Sequence, residues 1–268
     1  MHVDTTGKIS LDHIYTRSDP RAYFSTLRGL DYRIPELAKP HFSRLIAEYR
    51  EENGVSVPTV LDIGCSYGIN AALLKYGATM DLLYDRYSGS DAHGQTRDTL
   101  LARDRELVRS GEPANHARFL GLDASDSALS YALEAGFLDD AVHADLEDGD
   151  PNELQREQLA ETDLVISTGC LGYVTEKTIS RIVEAHGTRR PWMAHFVLRM
   201  FPFEPIAECL TGAGYRTVRR DGHFRQRRFA TTEERSLVLD RLSDIGVDPS
   251  GLETNGWLYA QLYISRPL

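Results

Sequence analysis

The sequence Thr59-Val-Leu-Asp-Ile-Gly-Cys-Ser-Tyr-Gly68 joins a run of β-branched and aliphatic residues to an acid and a glycine-spaced turn. The next eight residues are apolar at positions 69, 72, 73 and 76, the spacing of a helix with one buried face. This pattern predicts a buried parallel strand, a tight turn and a helix. In open α/β folds such a turn lies at the carboxyl edge of the sheet, where ligands bind.

Strand and helix patterns alternate along the rest of the chain. Six further segments read as strands, namely 118–123, 140–145, 163–168, 192–198, 215–218 and 257–264. Helical patterns lie between most of them, including one at 97–109. The alternation predicts an α/β fold with a mainly parallel seven-stranded sheet and helices on both faces.

No linker-like composition divides the 268 residues, so we expect a single domain over 1–268. Within it, 1–56 would form an N-terminal helical cap, and 77–117 an insertion between strands 1 and 2. Residues 231–255 would form a helical insertion before the last strand. All three segments add to the minimal sheet.

Composition and charge limit the compartment and the partners. No apolar run reaches the roughly 18 residues that a membrane span needs, and the N-terminus lacks a signal pattern. The three cysteines form no Cys-x-x-Cys pair, and no metal-ligand cluster is evident. The net charge of −10 disfavours nucleic acid as a partner. We expect a cytoplasmic protein without a bound metal or a membrane partner. A homodimer is one possible oligomeric state.

Acids and small residues follow four predicted strands in order. The tips read Asp62-Ile-Gly-Cys-Ser-Tyr-Gly68, Leu122-Asp-Ala-Ser125, Ala144-Asp-Leu-Glu147 and Ser167-Thr-Gly-Cys170. Together they resemble the class I (Rossmann-like) S-adenosylmethionine-dependent methyltransferases of the small-molecule type, over about 57–215. The family pattern at the first tip is acid-x-Gly-x-Gly-x-Gly, and here Ser66 stands where its middle glycine often lies.

The resemblance implies S-adenosyl-L-methionine as the cofactor. The acid at the second tip would hold the ribose, because an ionised carboxylate can accept from both hydroxyls. The first tip would border the methionine half, and the second and third tips the adenine. The residues expected to bind the cofactor are Asp62, Gly64, Cys65, Ser66, Gly68, Asp123, Ala124, Asp145, Leu146 and Thr168.

The predicted function is methyl transfer to a small-molecule acceptor, one from specialised metabolism in our interpretation. In-line displacement depends mainly on alignment of the reactants, so no catalytic residue can be named beyond the candidates Tyr173 and His223. The alternatives are a protein or nucleic-acid methyltransferase, a non-catalytic module that binds the cofactor, and an unliganded glycine turn. A dinucleotide-binding dehydrogenase is disfavoured, since Gly64 and Gly68 do not form Gly-x-Gly-x-x-Gly.

The expected substrate contacts are Tyr15, Tyr23, Tyr173, Arg199 and His223. Segments 11–34 and 77–117 would roof the acceptor pocket. An anionic acceptor is one hypothesis, because arginines end strand 5 and crowd strand 6. They are Arg199, Arg216, Arg219, Arg220, Arg225, Arg227 and Arg228. The alternative is that the strand-6 arginines form a solvated edge. His143 and His195 are expected in the core.

Overall fold

The computed structural model describes residues 12–111 and 115–268. Its centre is an eight-stranded sheet in the order β3-β2-β1-β4-β5-β8-β6, with β7 also paired to β8. The strands are β1 (Thr59–Ile63), β2 (Arg118–Asp123), β3 (Asp140–His143), β4 (Leu164–Thr168), β5 (Trp192–Leu198), β6 (Tyr215–Arg219), β7 (Phe224–Arg228) and β8 (Trp257–Pro267).

The predicted fold class is confirmed. Strands β1 to β5 pair in parallel, whereas β8 runs antiparallel to β5, β6 and β7. The strand count is eight rather than seven because the sixth strand is interrupted. β6 and β7 pair in tandem with successive parts of the long β8, and Gly222 at φ 106° lies in the break between them.

Helices cover both faces of the sheet. They are α1 (Asp12–Tyr15), α2 (Arg21–Gly29), α3 (Ile34–Asn53), α4 (Ile69–Tyr76), α5 (Met80–Ser88), α6 (Arg97–Ser110), α7 (Asp126–Ala135), α8 (Glu153–Ala160), α9 (Glu176–Ala185), α10 (Glu204–Gly212) and α11 (Thr232–Asp244). In the described part of the chain, no helix is both long and apolar enough to cross a bilayer.

The core follows the alternation of side chains along the strands. Leu61 and Ile63 of β1 point to one face, where they share a cluster with α8 to α11. Val60 points to the other, against α3, α4 and α7. A third cluster joins α2, α5 and α6 to α4 and α7. The predicted insertion therefore packs on the N-terminal cap and on α4 and α7.

Candidate active site

A cavity of about 580 Å³ opens at the carboxyl ends of β1 to β4. β1 lies between β2 and β4, so the crossovers leave it in opposite directions, and ligands of open α/β sheets bind at such a switch point. The volume lies within the range of small-molecule sites. The turn after β1, the tips of β2 to β4, the N-terminal segment and part of β7 line it.

The glycine turn after β1 brings backbone to the cavity. Gly64 has φ 66°, and a Cβ on it would lie 2.8 Å from Cβ of Cys170, so only glycine fits there. Ser66 adopts φ 50°, a left-handed conformation open to few side chains. Gly64, Cys65 and Ser66 all line the cavity. Gly68 does not: it begins α4 and packs against Ala132 and Phe137.

Asp123 at the tip of β2 faces this turn. Its Oδ2 accepts from the backbone N–H of Ser66 at 2.9 Å, and its Oδ1 accepts from that of Ser125 at 2.9 Å. Burial raises the pKa of Asp123, and these hydrogen bonds oppose the shift. Each oxygen can still accept another bond from a ligand in the cavity. Asp123 therefore holds the turn and presents a carboxylate to the same space.

Asp62, which was expected to contact the cofactor, lies behind the cavity rather than at its surface. It is fully buried, and its Oδ1 accepts from Nδ2 of Asn70 at 3.0 Å. Asn70 lines the cavity and lies 3.2 Å from Oγ1 of Thr168. Burial raises the pKa of Asp62 to about 7. Sequence reasoning missed Asn70, although it stands at the first turn of α4.

The third tip supplies a shallower wall. Asp145 is exposed, and its Oδ1 accepts from the backbone N–H of Glu147 at 2.9 Å. Leu146 is buried beside it, and both line the cavity with Ala124. Glu147 is engaged with α9, because its carboxylate accepts from the hydroxyls of Thr175 and Thr178. Asp145 is thus the accessible acid of this tip.

Tyrosines of the N-terminal segment cover the cavity. Tyr15, Tyr23 and Tyr32 line it, and the Tyr23 ring lies edge-on to Tyr15 at 5.6 Å and to Tyr32 at 6.5 Å. Burial raises the pKa of Tyr23 and Tyr32, so both remain protonated at neutral pH. Tyr173 lines the rim with 41% exposure. The positions expected for Tyr15, Tyr23 and Tyr173 agree with this arrangement.

The insertion is not part of the roof, which corrects the expectation for 77–117. None of its described residues lines the cavity. It supports the N-terminal segment from outside: Nη1 of Arg21 donates to the carbonyls of Ala92 at 3.2 Å and Gln95 at 2.9 Å. Arg28 pairs with Asp85 at 2.9 Å. The glycine-rich composition of this segment did not show whether it covers the cavity or supports the segment that does.

β7 contributes two residues to the cavity: Gln226, which sequence reasoning missed, and Arg227, one of the arginines named for an anionic acceptor. The pairing with β8 shifts between Arg225 and Arg227, so Gln226 is the extra residue of a β-bulge. Arg227 is buried and binds Glu234 through both Nη atoms, at 2.9 and 2.6 Å. Its charge is therefore matched within the protein.

Arg199 and His223, both expected to contact the substrate, do not line the cavity. Arg199 is buried against Glu253, with Nη1 to Oε2 at 2.5 Å, and Nη2 donates to the carbonyl of Asp248 at 2.8 Å. His223 is exposed in the break between β6 and β7, with Nε2 3.4 Å from Nε2 of Gln261.

The strand-6 arginines also fail to support an anionic acceptor. Arg227 alone of that group lines the cavity, and the others are exposed, namely Arg216, Arg219, Arg220, Arg225 and Arg228. A solvated edge describes those five correctly. The core prediction holds for His195, whose Nδ1 lies 2.8 Å from Oγ of Ser167, and is wrong for the exposed His143. Among the described residues, no group of three or more potential ligands could hold a metal ion.

The chain matches no family model and no curated protein. Among solved structures it is similar to the magnesium protoporphyrin IX methyltransferase ChlM from Synechocystis PCC 6803 with bound SAM, at 13% identity and a TM-score of 0.40, over 85% of this chain and 79% of that one. A TehB-like SAM-dependent methyltransferase from Corynebacterium glutamicum gives 15% and 0.39, over 81% and 85%. The plantazolicin methyltransferase BpumL gives 10% and 0.39, over 84% and 82%. Likenesses this distant assign no activity.

Proposed function

We propose that this protein binds S-adenosyl-L-methionine and catalyses methyl transfer to a small-molecule acceptor. The observation that carries the proposal is the order of groups around one cavity. The backbone of Gly64 to Ser66, the carboxylate of Asp123 and the acid Asp145 follow three neighbouring strand tips. This order matches a ligand with an amino-acid end, a ribose diol and a base.

The charges in the cavity fit this cofactor. Its acids include Asp123 and Asp145, while Glu234 already neutralises Arg227. When bound, S-adenosylmethionine would supply an electrophilic methyl group on a positively charged sulfur. Asp123 would accept hydrogen bonds from the ribose hydroxyls, and Leu146 with Ala124 would pack on the adenine. These contacts use groups that already face the cavity.

A dinucleotide fits less well. A pyrophosphate needs cationic partners or a free helix N-terminus. The first turn of α4 reaches the cavity through Ile69 and Asn70, but Arg227, the cation of the described lining, is engaged by Glu234. A pyrophosphate here would therefore meet carboxylates without a free cation from the described lining.

The chain's own residues contribute position and shielding. Tyr15, Tyr23 and Tyr32, the tyrosine roof, cover the cavity and limit how an acceptor can lie, which favours alignment of the reactants. The protonated Tyr23 and Tyr32 cannot act as bases at neutral pH, and burial raises the pKa of Cys170 to about 12. The residues described around the cavity include no histidine. We infer an acceptor whose reacting atom needs no strong base.

A small acceptor is favoured over a macromolecule. The cavity lies beneath the N-terminal segment, and the chain carries a net charge of −10, which opposes a polyanion. No specific observation supports the alternative of a non-catalytic binding module. Turnover separates the two, because only an enzyme generates S-adenosylhomocysteine from S-adenosylmethionine in the presence of an acceptor.

Calorimetric titration with S-adenosylhomocysteine tests the cofactor, with NAD⁺ as the competing ligand. We expect binding of the first, and stabilisation of the fold by about 2.7 kcal/mol at a hundredfold excess over its dissociation constant. No binding of S-adenosylhomocysteine together with binding of NAD⁺ would contradict the proposal. Incubation with a library of small molecules, read out as S-adenosylhomocysteine formed, tests the transfer.

A further inference from the structure

The cavity has two halves that differ in their polar groups. The turn after β1 and the tips of β2 and β3 form one half, which the proposed cofactor occupies. The tip of β4, the tyrosine roof and the bulge of β7 line the other. Gln226 enters this second half from the bulge, and β-bulges are a known means of re-aiming a side chain near a site.

The side-chain oxygen of Gln226 is buried without a hydrogen-bond partner among the described residues, as is Oγ of Ser66 in the other half of the cavity. Gln226 is 3% exposed, lines the cavity, and Oε1 accepts no hydrogen bond within the described structure. An unsatisfied buried acceptor is costly, so such a group is typically completed by a ligand or by water.

The surroundings hold this side chain in place. Nε2 lies against Gly169, where an added Cβ would be only 2.2 Å away, so any larger residue at 169 would displace the amide. The backbone carbonyl of Gln226 accepts from the backbone N–H of Arg33 at 2.9 Å. The backbone N–H of Arg228 donates to the carbonyl of Leu30 at 2.7 Å. The bulge and the tyrosine-bearing segment are thus joined through their backbones.

We propose that Gln226 determines acceptor specificity by accepting a hydrogen bond from an O–H or N–H group of the substrate. The acceptor class is then an uncharged aromatic molecule with such a donor, because Tyr23 and Tyr32 provide aromatic surface in the same half. The paired Arg227 leaves no free cation on this wall for an anionic group. The assignment rests on the proposed function, since the cofactor must fill the other half.

Phenol and anisole are suitable probes, because they differ in the O–H donor. Ligand-observed NMR titration with S-adenosylhomocysteine present should show phenol binding more tightly than anisole, by roughly threefold to tenfold for one hydrogen bond. Gln226→Met, which keeps the length but removes the acceptor, should abolish this preference. Gln226→Glu retains an acceptor and should preserve it. Gln158→Met, on α8 outside the cavity, is the matched control.

The outcomes separate the inference from its premise. The assignment is supported if S-adenosylhomocysteine binds and phenol then binds more tightly than anisole. Gln226→Met must remove this preference, and Gln226→Glu must retain it. If S-adenosylhomocysteine binds but the wild type shows no preference for phenol over anisole, the assignment is wrong and the proposed function stands. The same holds if Gln226→Met keeps the preference. If S-adenosylhomocysteine does not bind, both are wrong. Equal melting temperatures of the variants would confirm that each is folded.

Discussion

Oδ2 of Asp123 lies 2.9 Å from the backbone nitrogen of Ser66, so the end of β2 holds the turn that follows β1. Ser66 keeps φ 50°, and the turn leaves Gly64 and Cys65 facing the cavity. One carboxylate therefore links two strand tips that are 57 residues apart in sequence. The binding of a ligand to Asp123 would therefore depend on the conformation of this turn.

Replacing Asp123 with Asn should weaken S-adenosylhomocysteine binding by about tenfold to a hundredfold. The amide has one acceptor oxygen, so it cannot serve Ser66, Ser125 and a ribose with charge-assisted bonds worth roughly 1.5–3 kcal/mol. Calorimetry measures the change. Asp98→Asn, an exposed site on α6, should bind normally. Unchanged affinity in Asp123→Asn would argue against a ribose contact.

Asp62 predicts a pH dependence of stability. Its folded pKa of about 7 lies above the 3.8 of an unperturbed aspartate, so between these two pH values the folded state retains a proton that the unfolded state has lost. The resulting stabilisation is present at low pH and disappears as pH rises through about 7. Between pH 5 and 8 this group alone should reduce the free energy of unfolding by roughly 2–3 kcal/mol.

Denaturant titration of the wild type and Asp62→Asn at both pH values isolates this effect. The variant cannot titrate at this position, so it should become more stable relative to wild type at pH 8 than at pH 5. The same stability difference at both pH values would mean that Asp62 is ionised in the folded protein. Asp98→Asn provides the control, because Asp98 is an exposed carboxylate on α6.

Patterns of sequence predicted the elements that local residues determine. β1, β2 and β5 begin and end where the apolar runs placed them, because buried parallel strands read as continuous hydrophobic segments. The short α1, α2, α5 and α8 were missed as separate helices. Each has nine residues or fewer and packs as part of a larger cluster.

The site was predictable where it follows strand tips and not where it depends on distant partners. Asp123 and Asp145 lie at the cavity as expected. Arg199 was misplaced because its partner Glu253 lies 54 residues away. Gln226 was missed because a bulge is visible only once β7 and β8 are paired. Pairing and burial, rather than composition, decide which arginine or glutamine faces a ligand.

Arg199 should prove to be a stabilising residue without a role in ligand binding. Its side chain is 7% exposed and that of the paired Glu253 is 2% exposed, so Arg199→Ala would leave a buried unpaired acid. We expect a loss of about 3–5 kcal/mol in the free energy of unfolding. The double variant Arg199→Met with Glu253→Gln should recover much of it. The affinity for S-adenosylhomocysteine should be unchanged at a temperature where Arg199→Ala is folded. A loss of ligand affinity in the folded variant would mean that Arg199 contributes to the binding site.

The hydroxyl of Tyr67 should couple the glycine turn to the roof. It lies 3.1 Å from the carbonyl of Ile14 and 2.9 Å from that of Arg17, so a residue of the turn holds the segment that carries Tyr15. Tyr67→Phe removes this donor and preserves the ring. We expect faster amide hydrogen exchange in residues 12–20, and a smaller gain in protection there when S-adenosylhomocysteine binds. Tyr76→Phe is the matched control, because its hydroxyl donates to Gly136 outside the cavity. Identical exchange of residues 12–20 in Tyr67→Phe and wild type, with and without ligand, would show that the turn and the roof are independent.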